Sequence, residues 1–193
     1  MRMKNIYVKI IKNMKVVRES LLEEVVTRKD DSLEKIELVA GLVIIQKGSI
    51  LVVHPKGYPW YGTYSIPKGH IKKGEKILDA AIRETREETD IVIDKYDIID
   101  PTPKYIDFKD KQGNTYKRLY YFIVNPKEPI PNDAVNVDGE ENDWAGFIKK
   151  DRAKVRLFWK QKIVLDQIDN IEEIEKAREE AKQKKEDDKK DES

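Results

Sequence analysis

The chain has no cysteine and only two histidines, His54 and His70. The first absence removes disulfides, zinc–thiolate sites and a cysteine nucleophile together. The second leaves little room for histidine chemistry, and each histidine reads as an ordinary polar contact. A long apolar run is missing too. After the basic start Met1-Arg2-Met3-Lys4, the apolar stretch is broken by Lys9 and Lys12, too soon for a signal peptide or a membrane span. The expectation is a cytoplasmic protein with no membrane partner. Nor does one sign of charge dominate. Lys and Arg number 38 against 37 Asp and Glu, a net charge of +1, so bulk electrostatics point to neither nucleic acid nor lipid. There is no internal repeat.

What is present is a chain of 193 residues, long enough for one domain with a real core. Three regions are expected. Residues 1–34 form an N-terminal extension that suits either a helix (Ile6, Ile10, Met14, Val17, Leu21, Val25) or a hairpin. Residues 35–168 form the main domain. Residues 169–193 are dominated by Glu, Lys, Asp, Ala and Gln, and read as a solvated helix fraying into disorder, with Ile171 and Ile174 the residues able to dock. Within the domain, Ile36 to Ile45 and Ile50 to Val53 read as strands around a turn at Gly48. A helix is expected over Lys76 to Glu88, with Ile77, Ala80, Ala81 and Ile82 for packing. Tyr105 to Phe108 and Tyr116 to Val124 flank a hairpin turn at Lys111-Gln112-Gly113-Asn114. Trp144 to Ile148 is a further short strand. Asp151 to Ile168 reads as one helix, with Phe158, Val164, Leu165 and Ile168 inward.

The most informative stretch is Gly69 to Ile91. On a helix, Glu84, Glu87 and Glu88 sit at i, i+3 and i+4 and share one face. Without a cation this arrangement is unfavourable, because like charges at that spacing repel and the helix C-terminus prefers positive charge. A hard divalent cation held by carboxylate and carbonyl oxygens reverses both penalties. Arg83 stands at i, i+4 from Glu87, where its planar fork can fix that carboxylate and so set ligand geometry. Glu75, in the expected first turn, suits the helix dipole as well as it suits a catalytic role.

The same residues resemble the Nudix box. Gly69, Glu75, Arg83, Glu84, Thr85, Glu87, Glu88 and Ile91 match it, and Asp90 stands where the family has Gly. A helix normally ends there in a left-handed residue, which Asp tolerates better than most. The resemblance implies an α/β (α+β) fold, a mixed sheet between helices with a loop–helix–loop metal site. It also implies one to three Mg2+ or Mn2+ ions held by the Gly69 carbonyl and by Glu84, Glu87 and Glu88, with Glu84 or Glu88 polarising the attacking water. A further acid before a late tryptophan is part of the family pattern, which makes Asp138, Glu140 and Glu141 candidates ahead of Trp144. The Pro67-Lys68-Gly69-His70 run resembles the branch that cuts dinucleoside polyphosphates and diphosphoinositol polyphosphates.

Other candidates for substrate contact are read from position. Lys68 suits a phosphate oxygen. Lys117 and Arg118 alternate in facing, so one of them is expected to face the cleft and clamp phosphate, with Arg118 the candidate. Tyr58 and Trp60, with Tyr61, lie on a loop beside the box, where stacking on a purine competes with anchoring the loop. The expected partner is a small-molecule nucleotide, with an RNA 5′ end as the alternative. The expected activity is Mg2+-dependent hydrolysis of a nucleoside diphosphate linked to another moiety, foremost a dinucleoside polyphosphate. RNA 5′-pyrophosphate removal and nucleoside triphosphate pyrophosphohydrolysis are the other enzymatic readings. A non-catalytic binding module of the same fold is the rival, although such modules generally lose the box glutamates, which are all present here.

Overall fold

The computed structural model describes residues 36–137, 139–171, 173, 176 and 180. The expectations for residues 1–34, for Ile174 and for most of the charged tail therefore lie outside the described residues. Strands β1 (Glu37–Gln46) and β2 (Ser49–Pro55) form where the β-branched runs place them, joined through Gly48, whose φ of 66° glycine supplies freely. β3 (Lys68–His70), helix α1 (Ile77–Thr89), β4 (Ile98–Lys109), β5 (Thr115–Val124), β6 (Asn142–Lys149) and helix α2 (Lys150–Arg156) follow. The six strands make one mixed sheet in the order β4-β5-β1-β2-β6, with β3 also paired to β1.

β1 is the organising strand. It runs parallel to β5 from Glu37↔Lys117 to Ile44↔Val124 and antiparallel to β3 at Val39↔His70. Buried on both faces, it needs an unbroken apolar run rather than alternation. Its side chains still divide by twos. Val39, Val43 and Ile45 enter one core with β5's Leu119, Tyr121 and Ile123. On the opposite face Ala40, Leu42 and Ile44 pack with Phe122, Val124 and the α1 residues Ile77, Leu78, Ala80 and Ala81. Helical layers thus cover both faces, the first being sealed by Ala153, Leu157, Val164, Leu165, Ile168 and Ile171.

Two segments differ from the pattern read in the sequence. β4 begins at Ile98 and passes through Pro101 and Pro103. It is an edge strand with register shifts there, and an edge tolerates residues that donate no ladder hydrogen bond. The single helix expected over 151–168 is broken. α2 ends at Arg156, Leu157 is extended (ψ 143°), and a 3-10 segment runs from Trp159 to Leu165. The break lets Tyr64 N–H donate to the Arg156 carbonyl at 3.0 Å and Phe158 N–H donate to the Tyr64 carbonyl at 2.8 Å, while Leu157 is fully buried. Core burial and a two-bond bridge outweigh local helix propensity. No helix among the described residues is long and apolar enough to cross a membrane.

Candidate functional site

The loop and helix from Gly69 to Ile91 assemble around Arg83. Its guanidinium donates to both oxygens of Glu75 (Nε–Oε1 2.7 Å, Nη2–Oε2 2.8 Å), to Glu84 at 2.5 Å, to Glu87 at 2.9 Å and to the His70 carbonyl at 2.9 Å. Five hydrogen bonds to four residues use the planar fork fully, which a lysine could not do. Glu75 precedes the helix rather than sitting in its first turn, since α1 begins at Ile77 after Lys76. It also accepts the Lys72 N–H at 2.9 Å, so it ties the loop to the guanidinium. The Arg83 hydrogen bond holds the Glu75 carboxyl below its usual range, and the Glu75 contact in turn raises Arg83.

Gly69 lies against Glu84. A Cβ built on Gly69 would stand 2.0 Å from a Glu84 oxygen, so only glycine lets the strand backbone and this carboxylate share the space. Gly41 does the same one strand over, where a Cβ would meet the Pro67 carbonyl at 2.3 Å. Glu88 is 8% exposed and accepts the Lys68 N–H at 3.1 Å. Burial pushes its carboxyl up to about 7, against the opposing pull of Lys68. Asp90 closes α1 at φ 60°, with its N–H donating to the Arg86 carbonyl at 2.8 Å, so aspartate takes the left-handed turn that the pattern reserves for glycine.

A cavity of about 550 Å³ opens beside this cluster. Lys68, Gly69, His70 and Glu88 line one side, and Glu141 reaches it from the late loop. Of the two late acids among the described residues, Glu140 and Glu141, it is Glu141 that lines the cavity, and its charge acts on Glu88. Asp138 lies outside the described residues. Lys117 lines the cavity too, and Glu37 holds both its Nζ at 2.8 Å and His70 Nε2 at 3.0 Å. Arg118 is not on that wall. It points to the other face of β5, where Asp107 grips it at 2.6 and 2.9 Å and the Tyr105 ring lies 4.3 Å beneath it.

The aromatic candidates are displaced likewise. Tyr58 and Trp60 are 63% and 47% exposed, and neither lines the cavity. Trp60 stacks on the buried His54 (centroids 4.1 Å apart, planes within 2°), and His54 is held by Asp143 and, at 3.3 Å, by the Pro59 carbonyl. That arrangement anchors the loop. The aromatic wall is built instead from Phe108, Tyr116 and Phe158, which come from β4, β5 and the turn before the 3-10 segment. Alternation along β4 was the one sequence signal for Phe108. Nothing local marked Phe158, which read as a helix-packing residue.

The donor set suits a hard cation in kind. It consists of carboxylates and a carbonyl, one carboxylate is buried with a raised proton affinity, and glycine makes the space that Glu84 occupies. Among the described residues no three acids converge on one point, because Arg83 draws Glu84 and Glu87 to itself.

Fold and site together define an α/β protein that sets carboxylate and carbonyl oxygens and basic side chains around one cavity, the equipment of a hydrolase of phosphorus compounds. The NUDIX domain family matches residues 35–167, and the chain belongs to it, as a hydrolase acting on phosphoanhydride bonds. It is 31% identical over 119 residues to the asymmetrical bis(5′-nucleosyl)-tetraphosphatase of Caenorhabditis elegans, an alignment spanning 60% of this chain and 82% of that protein. The crystal structure of a C. elegans Ap4A hydrolase binary complex superposes with a TM-score of 0.52 at 25% identity, covering 70% of this chain and 97% of that one. A Francisella tularensis bifunctional NMN adenylyltransferase/ADP ribose pyrophosphatase, complexed with AMP and a Mn ion, superposes at 0.54 with 20% identity, over 69% of this chain and 42% of that one, and so shares the fold.

Proposed function

We propose that the protein is a divalent-cation-dependent hydrolase of dinucleoside polyphosphates that cuts them asymmetrically. The observation that carries this reading is the lining of the cavity. It combines Lys68, His70, Lys117 and the box acid Glu88, suited to a polyphosphate, with Phe108, Tyr116 and Phe158, suited to a nucleobase. The likeness to the C. elegans tetraphosphatase supports the same substrate class.

Gly69, Glu84, Glu87 and Glu88 would hold the cation, Mg2+ or Mn2+, and when bound it neutralises phosphate oxygens and lowers the pKa of a bound water. Arg83 keeps the Glu84 and Glu87 carboxylates in place, and Glu75 keeps Arg83 in place. Glu84 and Glu88 are the carboxylates able to accept the proton of the attacking water, and Glu141 is the additional acid on the wall. Lys68 and Lys117 offset the charge of the phosphate chain, the main electrostatic demand of phosphoryl transfer. Water adds to one phosphorus, its bridging P–O bond breaks, and a dinucleoside tetraphosphate yields a nucleoside triphosphate and a monophosphate.

The test is a substrate panel with Mg2+: dinucleoside polyphosphates, nucleoside triphosphates, nucleotide sugars, diphosphoinositol polyphosphates and triphosphorylated RNA, with products resolved. The dinucleoside tetraphosphate should be turned over with the highest kcat/KM and yield unequal products. Equal rates on triphosphates and dinucleotides would sink the dinucleotide reading, and a preference for triphosphorylated RNA would replace it with 5′-end processing.

A further inference from the structure

Gln161 belongs to the cavity wall and is only 2% exposed. Its side-chain oxygen accepts the Ile66 N–H at 2.9 Å. A backbone N–H can only donate, so the atom facing it must be the amide oxygen, and the orientation of the amide is fixed by chemistry. The Nε2 group is thereby turned away from Ile66. Among the described residues nothing accepts from it, yet no buried side-chain nitrogen or oxygen is sealed off without a partner. The group therefore opens on the cavity. Phe158 and Phe108 line the same wall, with rings near-parallel (10°) and centroids 6.1 Å apart. Asn142, 5% exposed, is a second buried amide on that wall with no side-chain hydrogen bond among the described residues.

A donor that opens on a cavity beside aromatic rings is placed to pair with a ligand, and a ligand that displaces its water without replacing the hydrogen bond loses affinity. We propose that Gln161 reads the nucleobase: its Nε2 donates a hydrogen bond to an acceptor on the edge of a base stacked against Phe158. This rests on the nucleotide reading of the cavity and adds to it a residue that sets base specificity. The donor's sign is locked by Ile66, so Gln161 selects for an acceptor, as purine N7 or guanine O6 provides. Asn142 has no such lock and can turn either end toward the ligand. A site built to pair a ligand's polar group discriminates more strongly than an apolar pocket, because a mismatched base leaves a buried group unpaired.

The alternative is that Gln161 only ties the 3-10 segment to Ile66. Two variants separate the roles. Gln161→Glu keeps an oxygen for the Ile66 N–H and removes the donor. Gln161→Met keeps the volume and removes both. AMP and ribose 5-phosphate are titrated into each full-length protein with Mg2+ present, so the difference in affinity reports the base alone and cancels any repulsion of phosphate by the new carboxylate. Wild type should bind AMP more tightly than ribose 5-phosphate. That gap should shrink about tenfold in both variants, the loss of one buried hydrogen bond. Melting temperature should fall in Gln161→Met and hold in Gln161→Glu. A gap absent from wild type, or unchanged in either variant, overturns the proposal. Failure to cleave dinucleoside tetraphosphates would count against the proposed function and would leave this binding result to be read by itself.

Discussion

Arg83 shows at the residue scale how much of this site is held by one side chain. Its four partners are Glu75 and the His70 carbonyl of the loop and two acids of the helix, and a lysine has no planar fork with which to reach them. Arg83→Lys should lower kcat/KM by roughly 10–100-fold, the usual size of a lost ligand-orienting contact, with a smaller effect on melting temperature. Gly69→Ala is the complementary test. The added methyl would displace the end of the Glu84 side chain and leave the strand pairing of Gly69 with Ala40 in place. Activity should therefore fall by an order of magnitude or more, while the urea midpoint stays close to that of wild type. The Asp107–Arg118 pair gives a pH signature away from the site. The guanidinium hydrogen bond holds Asp107 below its ordinary value. A depressed carboxyl contributes stability that is fully present above about pH 4 and lost as pH falls through the lower folded value. Asp107→Asn should flatten that acid limb of the stability curve and leave stability near neutrality changed by less, as equilibrium unfolding across pH would show.

Helix α1 and the C-terminal crossover illustrate opposite outcomes at the element scale. The helix was legible: its acids and its apolar positions follow from spacing, and the left-handed turn at Asp90 was expected from the resemblance to the Nudix box. Asp90 in the left-handed region carries a strain that glycine would not, partly offset by the entropy glycine adds to the unfolded chain. Asp90→Gly should stabilise the protein by roughly 0.5–1 kcal/mol in denaturant unfolding, with kcat unchanged. The crossover was not legible. Periodicity over 151–168 is helical, and Val164, Leu165 and Ile168 do face inward, but Leu157 leaves the helix to fill the core beneath Tyr64. Leu157→Ala should cost about 2–5 kcal/mol, the range for a fully buried leucine, and it should also loosen Phe158 next to it.

The whole molecule brings five chain regions to one cavity: β1 at 37–39, the segment at 55–65, the box at 68–88, the hairpin at 108–117 and the late segment at 141–161. Cation binding should be visible as folding energy at this scale. Mg2+ or Mn2+ should raise the melting temperature with a concentration dependence set by affinity, and Glu84→Gln with Glu88→Gln should erase most of that rise along with turnover. Retention of the rise in the double variant would show that the cation sits elsewhere.

The sequence by itself determined the helix that carries Glu84, Glu87 and Glu88 and the strand runs of the sheet core, because each rests on spacing within one element, where 3.6 and 2 residue periods fix facing directly. Only the tertiary structure decided that Lys117 and not Arg118 meets the cavity, that Glu141 is the late acid on its wall, and that Phe108, Tyr116 and Phe158 are its aromatics while Trp60 packs on His54. The reason is physical. Alternation says that neighbours on a strand face opposite ways but not which face will be covered, and partners such as Gln161 and Ile66 lie 95 residues apart, so their meeting is set by how the layers pack.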